Sequence, residues 1–140
     1  MGAWGKGTFD NDSAADFAHA FDELDREGGI ELIAEAIDGV LDEEQEGYLD
    51  SDFAVDALVA CEAIARLAGQ GGEQSAYSES LDTWVAEHPG PVDKGLAKRA
   101  IMAIERIMAD DSELPELWEN DPEWLAEMEN LKRRVAAAAT

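Results

Sequence analysis

The chain has 140 residues, 46% of them apolar, which suffices to bury a core in a single domain (1–140) without disulfides or metal. Thirty-three acidic residues face ten basic ones, and the formal charge of -23 repels nucleic-acid phosphates and anionic membrane surfaces, excluding direct binding to either. The lone Cys61 rules out a disulfide framework, and no apolar run reaches the roughly 18 residues of a spanning helix.

The first twelve residues form a Gly-spaced aromatic segment. Gly2, Gly5 and Gly7 surround Trp4, and Phe9 follows, so the segment has both backbone freedom and apolar surface for docking. Gly5-Lys6-Gly7-Thr8 has some of the letters of a P-loop ending, but Gly7 separates the Lys from the Thr and no strand precedes it. A phosphate cradle is therefore not expected, and no cofactor is implied. The N-terminus lacks the basic-then-apolar layout of a secretion signal, and Lys6 stands where myristoylation requires Ser or Thr. The expectation is a cytoplasmic, unanchored protein.

Asp10, Asn11, Asp12 and Ser13 can accept from the free N–H groups of a helix start, and Ser13 with Asp16 fits a capping box. The rival reading is a calcium loop. It fails because Ala14 and Ala15 replace a ligand and the required glycine, and Phe21 replaces the bidentate Glu. Ala14, Phe17, Phe21 and Leu24 then predict a first helix over 13–27 ended by Gly28-Gly29. His19 lies on it as a surface or half-buried residue, far short of a di-iron ligand set.

Ile30, Ile33, Ala34, Ile37, Val40 and Leu41 make one apolar face over 30–44, and Glu31, Glu35, Asp38 and Asp42 form an acidic row on another. A third helix, capped within 50–52 and running to about residue 68, has Phe53, Ala57, Leu58, Cys61, Ile64, Ala65 and Ala68 as a broad, alanine-rich inward stripe, which predicts a central position with close neighbours. Cys61 is a buried thiol within it. The stretch 69–77 has the composition of a flexible loop.

A short fourth helix ends before His88-Pro89-Gly90-Pro91. Pro91 is expected in the first turn of a fifth helix reaching residue 109, whose Lys94, Lys98, Arg99 and Arg106 pair internally with acidic neighbours. Ser112 is expected to cap a short segment containing Pro115 and Trp118. Asp121-Pro122 starts a last helix with Trp124, Leu125, Met128, Leu131 and Val135 inward and basic residues near its C-terminal end. The fold class is all-α, a single-domain bundle of six or seven helices with a Gly/aromatic N-terminal segment.

Two motifs then carry a resemblance. Gly2-Ala3-Trp4-Gly5-Lys6-Gly7-Thr8-Phe9-Asp10-Asn11-Asp12 and Ser112-Glu113-Leu114-Pro115-Glu116-Leu117-Trp118, with Trp124 downstream, resemble an uncharacterised bacterial family, the domain of unknown function 4259. The alanine-rich third helix before the Gly-rich stretch is similar to the family's middle. The resemblance implies a small stand-alone acidic protein, and no catalytic or binding residue comes with it.

No nucleophile and base, metal set or carboxylate pair stands out, so no enzyme activity is expected. The favoured reading is a protein-interaction module whose partner is a basic protein. Its candidate motifs are the structural set Trp4, Phe9, Asp10, Asn11, Asp12, Trp118 and Trp124, and the acidic face Glu31, Glu35, Asp38 and Asp42. A sharper version is a nucleic-acid-mimicking or immunity-type inhibitor. Two alternatives remain: adaptation to high salt, and a carboxylate-based enzyme site formed only in the fold. The N-terminal segment is expected to latch onto the bundle beside Trp118 and Trp124. Trp4→Ala should then lower stability by about 3 to 5 kcal/mol in a urea melt. Unchanged melting would identify the segment as a free arm.

Overall fold

The apolar stripes that the sequence lays along its helices converge on one of them. The structure, a computed structural model, describes residues 12–41, 49, 51–70, 79–90, 92–109, 112–117, 119 and 121–139. Among these are seven α-helices: α1 (Asp12–His19), α2 (Arg26–Leu41), α3 (Ser51–Leu67), α4 (Glu79–Glu87), α5 (Lys94–Ile107), α6 (Glu113–Leu117) and α7 (Pro122–Ala136). There is no sheet among them; Leu49 and Ser112 form an isolated parallel bridge. The protein is all-α.

Helix α3 touches every other helix. Ala54, Ala57, Ala60, Ala63 and Ala65 are buried together with Val55, Leu58, Val59, Cys61 and Ile64, so α3 is apolar almost all round, as a core helix must be. Its small side chains let neighbours approach closely. Ile33, Ile37 and Val40 of α2, Leu96, Ala100, Ile104 and Ile107 of α5, and Trp124, Met128, Leu131 and Val135 of α7 complete one contiguous core. Phe53, expected on the inward stripe, is instead 44% exposed. It sits near the start of α3, with its ring edge over Gly39.

The first helical boundary differs from expectation. α1 ends at His19, a 3-10 turn covers Ala20–Glu23, and Leu24 is extended (φ -97, ψ 144). Gly28 and Gly29 do not stop a helix but lie in the first turn of α2. Asp25 caps that turn: its Oδ1 accepts from Gly28 N at 2.7 Å, and its carbonyl accepts from Gly29 N at 3.0 Å. The glycine is needed for a steric reason, because a Cβ at Gly29 would stand 2.0 Å from Trp84 Cζ2. Trp84 packs closely against this bare backbone, donates from Nε1 to the Asp25 carbonyl at 3.2 Å, and meets the Phe21 ring at 5.1 Å between centroids.

Other starts are sharper than the sequence indicated. α5 begins at Lys94, not Pro91, because the Asp93 carboxylate accepts from Leu96 N at 3.1 Å. α7 begins as expected, with the Asp121 carboxylate accepting from Glu123 N at 2.8 Å. Ser112 does not cap α6. Its hydroxyl is buried with no hydrogen-bond partner among the described residues, and the free N–H of Glu113 goes to the Leu49 carbonyl at 2.9 Å.

Two glycines of one helix should respond oppositely to alanine. Gly29→Ala meets the Trp84 ring and should cost about 1 to 3 kcal/mol as an overpacked site. Gly39→Ala meets only Phe53 Cδ1 at 3.7 Å, an ordinary contact, and should gain about 0.5 to 1 kcal/mol from helix propensity. Urea melts of the two variants check the contrast.

Candidate functional site

Three residues of the acidic row read from the sequence are exposed on α2. α2 turns Ile33, Ile37 and Val40 into the core and leaves Glu31, Glu35 and Asp38 exposed, while Asp42 lies outside the described residues. Glu27 extends the row by one turn. The sequence reading missed it because it began the helix after the glycine pair, whereas α2 starts at Arg26. Asp38 pairs with Arg99 of α5 at 2.7 Å, but both groups are exposed and such a bridge contributes little, and the internal pairing expected of Lys94 and Lys98 is absent among the described residues. Glu27, Glu31 and Glu35 have no ion pair among the described residues.

The aromatic and capping set is divided. Trp124 is 2% exposed and belongs to the core rather than to a surface. Asp12 is the first residue of α1. Trp4, Phe9, Asp10, Asn11 and Trp118, and with them the proposed latch, lie outside the described residues, as does most of the expected loop at 69–77.

Beside the acidic row runs a surface groove of about 510 Å³ lined by Arg26, Glu27, Ile30, Glu31, Val92 and Asp93. Arg26 fixes its shape. Its guanidinium donates to the His88 carbonyl at 2.9 Å and lies against Gly90, where a Cβ would come within 3.1 Å of Arg26 Cζ. The turn after α4 is thereby held to the first turn of α2. Sequence spacing could not show this groove, because its walls are about sixty residues apart in the chain.

Three other groupings have the residue types of chemistry. His19, Asp22 and Ser80 meet on the surface, with Ser80 Oγ 2.9 Å and Asp22 Oδ2 3.4 Å from the same ring nitrogen, Nδ1. A catalytic triad needs the carboxylate on one imidazole nitrogen and the hydroxyl on the other, so this set is a surface clasp between the 3-10 turn and α4. Cys61 is fully buried, with its Sγ 3.7 Å from the Ala100 carbonyl; burial, and then the Glu62 carboxylate, push its thiol far above the ordinary range. It stays protonated at neutral pH and is not an activated nucleophile.

The third grouping is a buried ion network missed by the sequence reading. Glu62 and Arg66 of α3, 5% and 4% exposed at the side chain, are hydrogen-bonded to each other. Arg66 Nε also donates to Asp82 of α4 at 2.6 Å, and Arg134 of α7 donates to Glu62 at 2.7 Å and 3.1 Å. Among the described residues two carboxylates thus face two guanidiniums. The signal available in the sequence was the pair at i and i+4 on an otherwise apolar helix. Among the described residues no three His, Cys, Asp or Glu side chains form a metal-holding group, and no helix is long and apolar enough to cross a membrane.

The described residues define an all-α protein whose buried Glu62 is met by two guanidiniums and whose α2 carries an exposed acidic face. The chain belongs to the family described as Domain of unknown function (DUF4259), whose model matches residues 2–130. Neither a curated protein nor a solved structure matches it.

Breaking the buried network should be costly, because one partner's removal strands charge in the core. Glu62→Ala should lower stability by about 3 to 5 kcal/mol, whereas the exposed Glu105→Ala should change it by no more than about 0.5 kcal/mol. Chemical denaturation of both proteins measures the difference.

Proposed function

We propose that the protein is a non-enzymatic interaction module that engages a basic protein surface through the exposed acidic face of α2. The supporting observation is the row Glu27, Glu31, Glu35 and Asp38, in which only Asp38 has an internal cation among the described residues. Like charges one turn apart cost a helix a few tenths of a kcal/mol per pair, roughly. Nothing in the core requires that cost, since the apolar stripe of α2 lies on another side. A cationic partner relieves it and is drawn in by the net charge, which raises association rate and selects the partner's sign.

A narrower form of the reading makes the partner a nucleic-acid-binding protein. Carboxylates spaced about one helical turn, roughly 5 to 6 Å, along a rod present charge much as a phosphate backbone does. The chain would then occupy a basic channel as an inhibitor. Competition by a soluble polyanion separates this form from binding to any other basic surface.

The test is retention of proteins from the source-cell lysate on the immobilised chain and on the neutral variant E31Q/E35Q/D38N. Salt of about 50 mM and about 300 mM brackets the range in which exposed charges become screened. The expected result is a basic protein held at low salt, released at the higher salt, displaced by polyanion, and lost with the variant although the variant melts normally. Equal retention by both chains, or no basic protein retained at low salt, would overturn the proposal.

A further inference from the structure

We propose that the groove between the start of α2 and the turn into α5 receives a single lysine or arginine side chain of the basic partner; this inference rests on the reading of α2 as an interaction surface. Glu27 and Glu31 from one element and Asp93 from another place three carboxylates around it, all on exposed residues. Between them Ile30 and Val92 are half-buried and form an apolar wall. An occupant must be apolar along its length and cationic at its tip, which is the construction of a lysine or arginine side chain.

Arg26 does not reverse this polarity. Its guanidinium is directed to the His88 carbonyl and packed on Gly90 at one end of the groove, where it acts as a strut between α2 and the turn. An acidic side chain or a phosphate would face three carboxylates. A purely apolar side chain would leave the excess negative charge of the lining, three carboxylates against the one Arg26 guanidinium, unmet. Asp93 uses Oδ2 to cap α5 at 3.1 Å from Leu96 N, and its other oxygen has no such duty.

The experiment is an amide-resolved NMR titration of the full chain with three capped amino acids: lysine, norleucine, which has the stem without the ammonium, and glutamate. Lysine should shift the amides of residues 27–31 and 92–96, norleucine should shift them more weakly, and glutamate should leave them unchanged. Asn caps a helix about as well as Asp, so Asp93→Asn keeps the start of α5 while removing the charge. Asp93→Asn and Glu27→Gln should each weaken lysine binding about threefold, as the loss of one exposed ion pair does. Lysine shifts spread over every acidic surface, or an affinity unchanged in both variants, would overturn the groove.

Partner retention separates this result from the broader reading. Loss of the retained basic protein with E35Q/D38N but not with E27Q/D93N would refute the groove and leave the acidic face standing. Retention unchanged by either pair would refute both. Loss with E27Q/D93N, in step with the NMR result, supports the groove as the anchoring point.

Discussion

Glu62 is a carboxylate buried on the helix around which all the others pack, and that position sets a demand the rest of the fold must meet. Taking an ionised carboxylate out of water costs several kcal/mol, roughly, unless well-placed cations and hydrogen bonds offset it. Arg66 comes from the next turn of α3 itself, and Arg134 reaches in from α7. Arg66 in turn holds Asp82, so α4 is fixed to the same point. One buried charge thus specifies the mutual placement of three helices more closely than the interchangeable contacts of alanines and leucines can.

The same arrangement sharpens the character of the surface. In a chain with ten basic residues, each guanidinium committed to the interior is withheld from the outside. Arg66 and Arg134 neutralise buried acids, and Arg26 braces a backbone turn. Among the charges of α2 beyond Arg26, the outer face carries carboxylates only. The contrast between a buried carboxylate met by cations and a helix with like-charged neighbours along its length is what links the fold to the proposed role.

The helices were legible where periodicity and capping act within one segment. The apolar stripes of α2, α3 and α7, and the Asp121-Pro122 start of α7, are local patterns, and the structure keeps them except at Phe53 of α3, which turns outward. Gly28-Gly29 was misleading because glycine is ambiguous on its own: it ends a helix in one setting and makes room for a ring in another. Only the placement of Trp84, some fifty-five residues later, decides between the two. Ser112 misled for a related reason, since its neighbour found a backbone acceptor at Leu49 and left the hydroxyl without a capping task. Glu62 and Arg66 were visible as an i, i+4 pair, but Asp82 and Arg134 join them only through tertiary packing. The acidic row was legible, and the groove beside it was not, because Val92 and Asp93 arrive there by way of the turn that Arg26 holds.

The bridge between Leu49 and Ser112 divides the chain in a way the helix list does not show. It closes, by backbone hydrogen bonding, a loop of chain containing α3, α4 and α5, with α1 and α2 on one arm and α6 and α7 on the other. Closing a loop of that length carries an entropy cost that local helix formation does not, and contacts so distant in sequence slow folding. The core is completed only when both arms fold back onto α3, which lies within the loop. The order of helices along the chain therefore places the central helix α3 in the middle of the sequence, and the two flanks bring α2 and α7 to complete the core around it.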